Sequence, residues 1–167
     1  MKKWTALVLA LALATLCCTA ALATEAQYKN TKAFLKLLDD KGVIYTVTGV
    51  NESSDYEQVT VKNKGQDFSY TINYFFHSDD SEVGIRVWDI INYSSSDEAA
   101  LLREANTLNR KYKHVRWVVD DTNNTISATM DVLTRNNADT ADILWEYTIK
   151  LVNLLDTGYP VFQPYAK

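Results

Sequence analysis

Apolar residues recur at helical spacing in three segments of the chain, which predicts three amphipathic helices. The first runs from Asn30 to Lys41, the second from about Asp97 to Lys113, and the third from about Asp139 to Asp156. Their apolar stripes consist of Ala33, Phe34, Leu37 and Leu38, then Leu101, Ala105, Leu108 and Tyr112, and finally Ile143, Leu144, Tyr147, Leu151 and Leu155. The tail after Gly158 contains both prolines of the chain, and we expect it to be irregular.

β-branched and aromatic segments between these helices predict six strands. They cover residues 43–50, 56–62, 67–75 and 83–91 before the second helix, and residues 115–119 and 125–133 after it. A short polar turn joins the second and third strands, which predicts a hairpin with Gly65 at a position of positive φ. Hairpin-connected strands separated by helices indicate an antiparallel α+β fold in the order α-β-β-β-β-α-β-β-α.

The strand 83–91 and the last helix have apolar residues on more than one face. The strand 83–91 places Ile85, Val87 and Ile91 on one face, with Trp88 and Ile90 on the other. Such a strand is either covered on both faces by its own domain or uses one face for a partner. The last helix has a second stripe beside its main one. The candidate partner-binding residues are therefore Trp88, Ile90, Trp145, Ile149 and Val152.

The N-terminus has the three parts of a secretory signal peptide. Lys2 and Lys3 precede an apolar run from residue 6 to residue 16, and Ala21 and Ala23 supply the small residues of a cleavage site. The run is shorter than the roughly 18–20 residues that span a bilayer. Lipidation at Cys17 or Cys18 fits less well, because a bulky residue or another cysteine precedes each. We expect cleavage after Ala23, a mature single domain of residues 24–167, and a location in the periplasm, the cell envelope or the medium.

Cleavage would change the composition in two ways that bear on function. Both cysteines leave with the signal, so the mature fold would be held by its core without disulfides. The signal also takes two of the 17 basic residues and none of the 21 acidic ones, which moves the net charge from −4 to −6. An acidic chain without a basic cluster is a poor candidate for binding nucleic acid or an anionic membrane surface.

The sequence contains none of the strong motifs of catalytic, metal or cofactor sites. His77 and His114 lack the spacing of paired metal ligands. The acidic loops 79–82 and 120–123 lack the spacing of a calcium loop and are typical of turns. No nucleophile elbow, phosphate-binding loop or dinucleotide fingerprint is present. We therefore predict a protein that is not an enzyme and that carries no catalytic, cofactor-binding or metal-binding residues.

The segment 101–132 has the most distinctive pattern of the chain. Asn106 and Asn109 stand near the end of the second helix, which runs into Val115-Arg116-Trp117, an acidic turn and another strand. This pattern resembles the YbjN-like family, usually labelled bacterial sensory transduction regulators. The resemblance implies a fold similar to type III secretion chaperones, a twisted antiparallel sheet with helices packed against it. Those chaperones dimerise and bind extended segments of partner proteins without catalysis.

The residues that carry the resemblance are Asn106, Leu108, Asn109, Val115 and Trp117, and we interpret them as structural. Because Asn106 and Asn109 share one face of the helix, we expect them to bond loop or strand backbone where the chain turns toward Val115. A role at a dimer surface is the alternative interpretation.

Together these observations favour an exported, chaperone-like or adaptor domain that binds another protein or a second copy of itself. The alternative is a module that binds a small ligand between sheet and helices. Aromatic rings suit apolar pockets, and the pocket of this alternative would be lined by Tyr70, Tyr74, Trp88 and Trp117.

Overall fold

Six antiparallel strands form one sheet in a computed structural model that describes residues 26–49, 55–134 and 139–167. The strands are β1 (Tyr45–Thr48), β2 (Tyr56–Lys64), β3 (Ser69–His77), β4 (Glu82–Asn92), β5 (Arg116–Asp120) and β6 (Thr125–Leu133). The helices are α1 (Lys29–Asp40), α2 (Glu98–Lys111) and α3 (Thr140–Phe162). The predicted antiparallel α+β fold and its element order are confirmed. The predicted signal peptide lies outside the described residues.

The order of strands in the sheet is β1-β2-β3-β4-β6-β5, so β1 and β5 form its two edges. The helices pack on one face, where Phe34 of α1 lies 4.8 Å from Tyr74 of β3 between ring centroids. The Tyr74 hydroxyl meets the Thr148 hydroxyl of α3 at 2.9 Å, and burial raises the pKa of Tyr74. We call the opposite face, which carries Thr60, Asn73 and Phe75, the open face.

The C-terminal segment is helical where the prolines predicted an irregular tail. α3 continues through Pro160 to Phe162, and a short 3₁₀ turn, Gln163–Tyr165, follows. Proline removes one helical hydrogen bond, but packing outweighs that loss. The Phe162 ring is fully buried, 5.0 Å from the ring of Trp117, and Tyr159 stacks on Phe68 at 4.1 Å. The prediction of an irregular tail was wrong because these contacts are made with distant parts of the chain.

The β2–β3 hairpin is formed as predicted, but Gly65 does not have positive φ. Gly42, at the end of α1, and Gly49, after β1, take that conformation instead, with φ of 66° and 77°. Gly65 serves a different purpose, because a β-carbon there would overlap the carboxylate of Asp156. The same carboxylate accepts a hydrogen bond from the backbone N–H of Gln66 at 3.1 Å, so α3 docks directly on the hairpin.

Gly158 admits the indole ring of Trp117 between α3 and the sheet, and its replacement tests that packing. Alanine normally stabilises a helix interior relative to glycine by about 0.5–1 kcal/mol. Here the new β-carbon would overlap the Trp117 ring, which Phe162 contacts as well. We expect Gly158→Ala to lower the free energy of unfolding by about 1–3 kcal/mol in urea denaturation. Thr157→Ala, an exposed neighbour, should change it by less than about 0.5 kcal/mol. Stabilisation by Gly158→Ala would contradict the packing described.

Candidate functional site

A β-bulge interrupts β4 between Trp88 and Ile91 and affects where Ile90 lies. The pairing of β4 with β6 shifts register between Val87 and Ile91, and Asp89 lies in the left-handed region with φ of 53°. A bulge adds one residue and interrupts the alternation of side chains. Trp88, which alternates with the buried Val87, is 47% exposed, whereas Ile90, beyond Asp89, is 8% exposed and packs with the core. Of the two predicted residues, Trp88 is therefore available to a partner and Ile90 is buried, although both border the same hollow.

Three aromatic side chains meet on the open face and form what we call the open-face aromatic cluster: Tyr56, Phe75 and Trp88. The rings of Tyr56 and Phe75 are 5.2 Å apart at 71°, and those of Phe75 and Trp88 are 5.5 Å apart at 60°. Edge-to-face pairs of this kind are favourable by about 0.5–1.5 kcal/mol beyond their buried area. Tyr56 and Trp88 nevertheless remain 41% and 47% exposed, so much of the cluster's apolar surface faces solvent.

Two members of the cluster were not among the candidates drawn from the sequence. Phe75 follows Tyr74 directly, and neighbouring residues of a strand point to opposite faces. Since Tyr74 lies among the helices, Phe75 has to lie on the open face with Thr71 and Asn73. The doublet Phe75-Phe76 was therefore a usable signal for an aromatic residue on the polar face.

Polar side chains surround the open-face aromatic cluster. Asn73 is buried, and its Oδ1 accepts hydrogen bonds from Gln58 Nε2 at 2.9 Å and Thr60 Oγ1 at 3.0 Å. A hollow of about 320 Å³ adjoins Trp88 and is bordered by Asn73, Thr71 and the bulge residue Asp89. In the described part of the chain Asp89 forms no ion pair. The hollow thus combines an aromatic ring with an exposed carboxylate.

Farther along the open face, two arginines share one aspartate. Arg86 Nη2 lies 2.6 Å from Asp131 Oδ1, and Arg116 Nη2 lies 3.0 Å from Asp131 Oδ2. Arg86 also donates to the carbonyl of Met130 at 2.8 Å, which fixes its guanidinium above Gly84. Such partly exposed pairs contribute little to stability, typically about 0–1 kcal/mol. They hold the charges of this region in place beside the aromatic cluster.

The second predicted surface lies on the other side of the molecule. Trp145 and Val152 on α3 are half-buried, and Ile149 is 48% exposed. The ammonium group of Lys41 sits 4.7 Å from the centroid of the Trp145 ring. Because α3 covers the helix side of the sheet, this stripe faces away from Trp88. The structure therefore divides the predicted partner-binding residues into two places: Trp88 and the buried Ile90 border one hollow, and Trp145, Ile149 and Val152 lie on the outer side of α3.

The four aromatic residues predicted to line a ligand pocket do not share one. Tyr70, Tyr74 and Trp117 are buried in the core. The Tyr70 hydroxyl accepts a hydrogen bond from Asn63 Nδ2 at 2.7 Å, and the other two rings pack against helix residues. Tyr70 and Trp88 both border the hollow of about 320 Å³ described above, but Tyr74 and Trp117 do not.

Asn109 joins α2 to β5 through the backbone of Trp117. Its Nδ2 donates to the Trp117 carbonyl at 3.0 Å, and its Oδ1 accepts the Trp117 N–H at 2.7 Å. The expected bond between helix and strand backbone is thus present at Asn109, whereas Asn106 is exposed to solvent. The other motif residues, Leu108, Val115 and Trp117, are buried.

The acidic loops are organised as turns. Asp120 accepts hydrogen bonds from the side chain and backbone of Asn123 and from the backbone of Thr122, which hold the pKa of its carboxyl below the ordinary value. Asp79 has a lowered pKa for the same kind of reason, because Ser81 donates to it through backbone and side chain. These bonds lie within each loop and are those of Asx turns.

The buried carboxylate of Glu57 accepts hydrogen bonds from the backbone N–H groups of Gln27 and Tyr28, just before α1. Within residues 26–49, 55–134 and 139–167, no three His, Cys, Asp or Glu residues are grouped so that they could hold a metal ion. None of the helices in the same ranges is long and apolar enough to cross a membrane.

Comparisons with known proteins give one structural likeness. No protein-family model matches the chain, and no curated protein sequence matches it either. Among solved structures the chain is similar to the crystal structure of YbjN from E. coli, with 12% identity and a TM-score of 0.49. The similarity covers 82% of this chain and 93% of that chain. That protein is of the family that the 101–132 segment resembles.

The two hydrogen bonds from Asn109 to the backbone of Trp117 can be tested by comparing Asn109 with Asn106. Asn109→Ala removes both bonds to the backbone of Trp117, and we expect it to lower the free energy of unfolding by about 1–3 kcal/mol. Asn106→Ala, on the same helix but exposed, should change it by less than about 0.5 kcal/mol. Urea denaturation of both variants measures the difference. A loss below about 0.5 kcal/mol in Asn109→Ala as well would contradict a stabilising role of the two bonds.

Proposed function

We propose that this chain is a non-enzymatic protein-interaction domain, chaperone-like or adaptor in role, that binds its partner through the open-face aromatic cluster. The observation that carries the proposal is the half-exposed pair Tyr56 and Trp88, which Phe75 joins into one contiguous aromatic cluster on the open face. Tryptophan and tyrosine are enriched among the residues that dominate binding energy at protein interfaces. A partner that covers the cluster would remove this apolar surface from water.

The cluster is already arranged for binding. Phe75 contacts both other rings, and the buried Asn73 beside it is held by Gln58 and Thr60. Side chains that are fixed before binding lose less conformational entropy when a partner arrives. Trp88 points outward because it follows the buried Val87 in a regularly paired part of β4.

The hollow beside Trp88 suggests one feature of the partner. Its volume of about 320 Å³ is at the lower end for ligand pockets and suits a single long side chain. A lysine or arginine would place its charge near the Trp88 ring and the Asp89 carboxylate. Cation–π contacts contribute about 0.5–2 kcal/mol, depending on solvent exposure. We therefore propose a partner segment with a basic residue next to an apolar one.

We further propose that the domain acts after export, in the cell envelope or outside the cell. The support for this is the N-terminal sequence, with its two lysines, short apolar run and small residues before position 24. Detection of a mature N-terminus at Thr24 by mass spectrometry of the native protein would test it.

The interaction proposal is tested by cross-linked pull-down with the tagged protein, expressed from its full-length sequence, in extracts of the native cell envelope and medium. Trp88→Ser should reduce recovery of a specific partner by about tenfold or more, equivalent to about 1.4 kcal/mol. Leu133→Ser, which removes another exposed apolar side chain, should leave recovery unchanged. Circular dichroism and melting curves confirm that each variant is folded.

Trp145→Ser separates the two surfaces that the sequence suggested. Loss of the partner with Trp145→Ser but not with Trp88→Ser would move the site to α3 and overturn the proposal. If no recovered protein depends on Trp88, the interaction proposal fails. The alternative is then that the domain binds a small polar ligand, which the hollow would also accommodate. Thermal stabilisation by such a ligand, lost in Trp88→Ser, would then support that alternative.

A further inference from the structure

β1 is an edge strand with an open side. Tyr45–Thr48 pairs with β2, and in the described residues no strand lies on its other side. The backbone N–H and C=O groups on the open side of an edge strand form a template for another strand. Natural proteins usually protect such edges with charged residues, proline, bulges or a covering element.

The opposite edge of the sheet carries charged residues and a covering helix, whereas β1 is protected only by its length of four residues. β5 carries Arg116 and Asp120, and Asn109 from α2 bonds the N–H and C=O of Trp117 that point away from β6. Residues 42–49, in contrast, include no charged residue and no proline. The edge at β1 is therefore chemically suited to pairing.

The side chains around β1 are self-complementary when the strand pairs with a copy of itself. Val43, Tyr45 and Val47 pack against the core from the helix side, and Ile44 and Thr46 alternate with them. In an antiparallel pair centred on Tyr45, each Val43 lies opposite the second copy's Val47. Apolar residues then face apolar residues on the helix side, as the two-residue period of a strand requires.

The same register covers the most exposed apolar residue of this edge. Ile44 is 89% exposed and borders a groove of about 600 Å³ that is also lined by Thr46, Thr60 and Lys62. With Tyr45 at the centre, Ile44 lies opposite the second copy's Thr46, in the second copy's groove. Each copy contributes one Ile44 and one groove, so the same contact forms twice. The pair has two-fold symmetry, and the assembly ends at a dimer.

We infer that two copies of this chain associate through their β1 strands and join their sheets into one continuous antiparallel sheet. The inference goes beyond the proposed function and uses different residues. It leaves Tyr56, Phe75 and Trp88 uncovered in both copies.

Sedimentation equilibrium and light scattering on the protein, expressed from its full-length sequence, test the inference. We expect the wild type to have the mass of two chains at micromolar concentration. Ile44→Lys should raise the dissociation constant at least about tenfold, because it places a charge in the second copy's groove. Leu133→Lys is the matched control: this side chain is also exposed, at 63%, but lies on β6, away from β1. It should remain dimeric, and so should Trp88→Ser.

Disulfide trapping tests the register. With Cys17 and Cys18 changed to serine in every variant, Tyr45→Cys should form a covalent dimer on oxidation. Directly opposed residues in an antiparallel pair have α-carbons about 4.5–5.5 Å apart, which is within disulfide range. Thr48→Cys should not cross-link, because its own copy lies about 20 Å away along the pair.

Three results would overturn the inference. The first is a wild type that stays monomeric at every concentration. The second is a dimer that Ile44→Lys leaves intact, which would place the interface elsewhere. The third is a monomer whose binding to an uncharged extended peptide is lost in Ile44→Lys, which would show that β1 receives a strand from a different protein. Loss of the dimer in Ile44→Lys with unchanged partner recovery in the pull-down would separate this inference from the proposed function.

Discussion

The structure depends above all on how Trp117 is held between the sheet and the helices. Asn109 of α2 fixes its backbone, Gly158 of α3 leaves room for its ring, and Phe162 packs against that ring. The indole N–H is buried and has no acceptor among the described residues, a cost of about 1–3 kcal/mol that packing has to outweigh. One strand residue thereby fixes the position of two helices.

Because the helices all pack on one side, the polar groups of the open face have to find their hydrogen-bond and ion-pair partners within the sheet or in water. Several of them do so through short polar networks, such as Asn73 with Gln58 and Thr60, and through the ion pairs of Asp131. Ile44, Val118 and Leu133 are exposed there as well, but Trp88 and Tyr56 differ in forming one aromatic cluster with Phe75 that nothing in the described chain covers. An antiparallel sheet with one solvated face is normally polar there, so the aromatic cluster is the feature that calls for a functional explanation.

Local pattern was sufficient for the element order and for most strand bounds, since alternation and helical spacing are properties of neighbouring residues. It was insufficient wherever a distant contact decides the outcome. Gly65 is required by the carboxylate of Asp156, and the helix persists beyond Pro160 because Phe162 reaches Trp117. The candidate site was predicted in part: Trp88 was identified from its position in the strand, but the bulge at Asp89 moved Ile90 into the core.

The two surfaces proposed for this chain become related once the geometry of strand pairing is considered. A two-fold axis perpendicular to the sheet keeps each face on its own side, so pairing through β1 would place both open faces on one side of a continuous sheet. The two β3 strands would then be five strand spacings apart, roughly 24 Å. Phe75 is level with Thr48 in the sheet, so the two Phe75 residues would also be about 20 Å apart along the strands and about 31 Å apart in all. An extended segment of about nine residues spans that distance. A single partner segment with two suitable anchors would therefore engage both clusters at once, and the second contact would form at a high effective concentration.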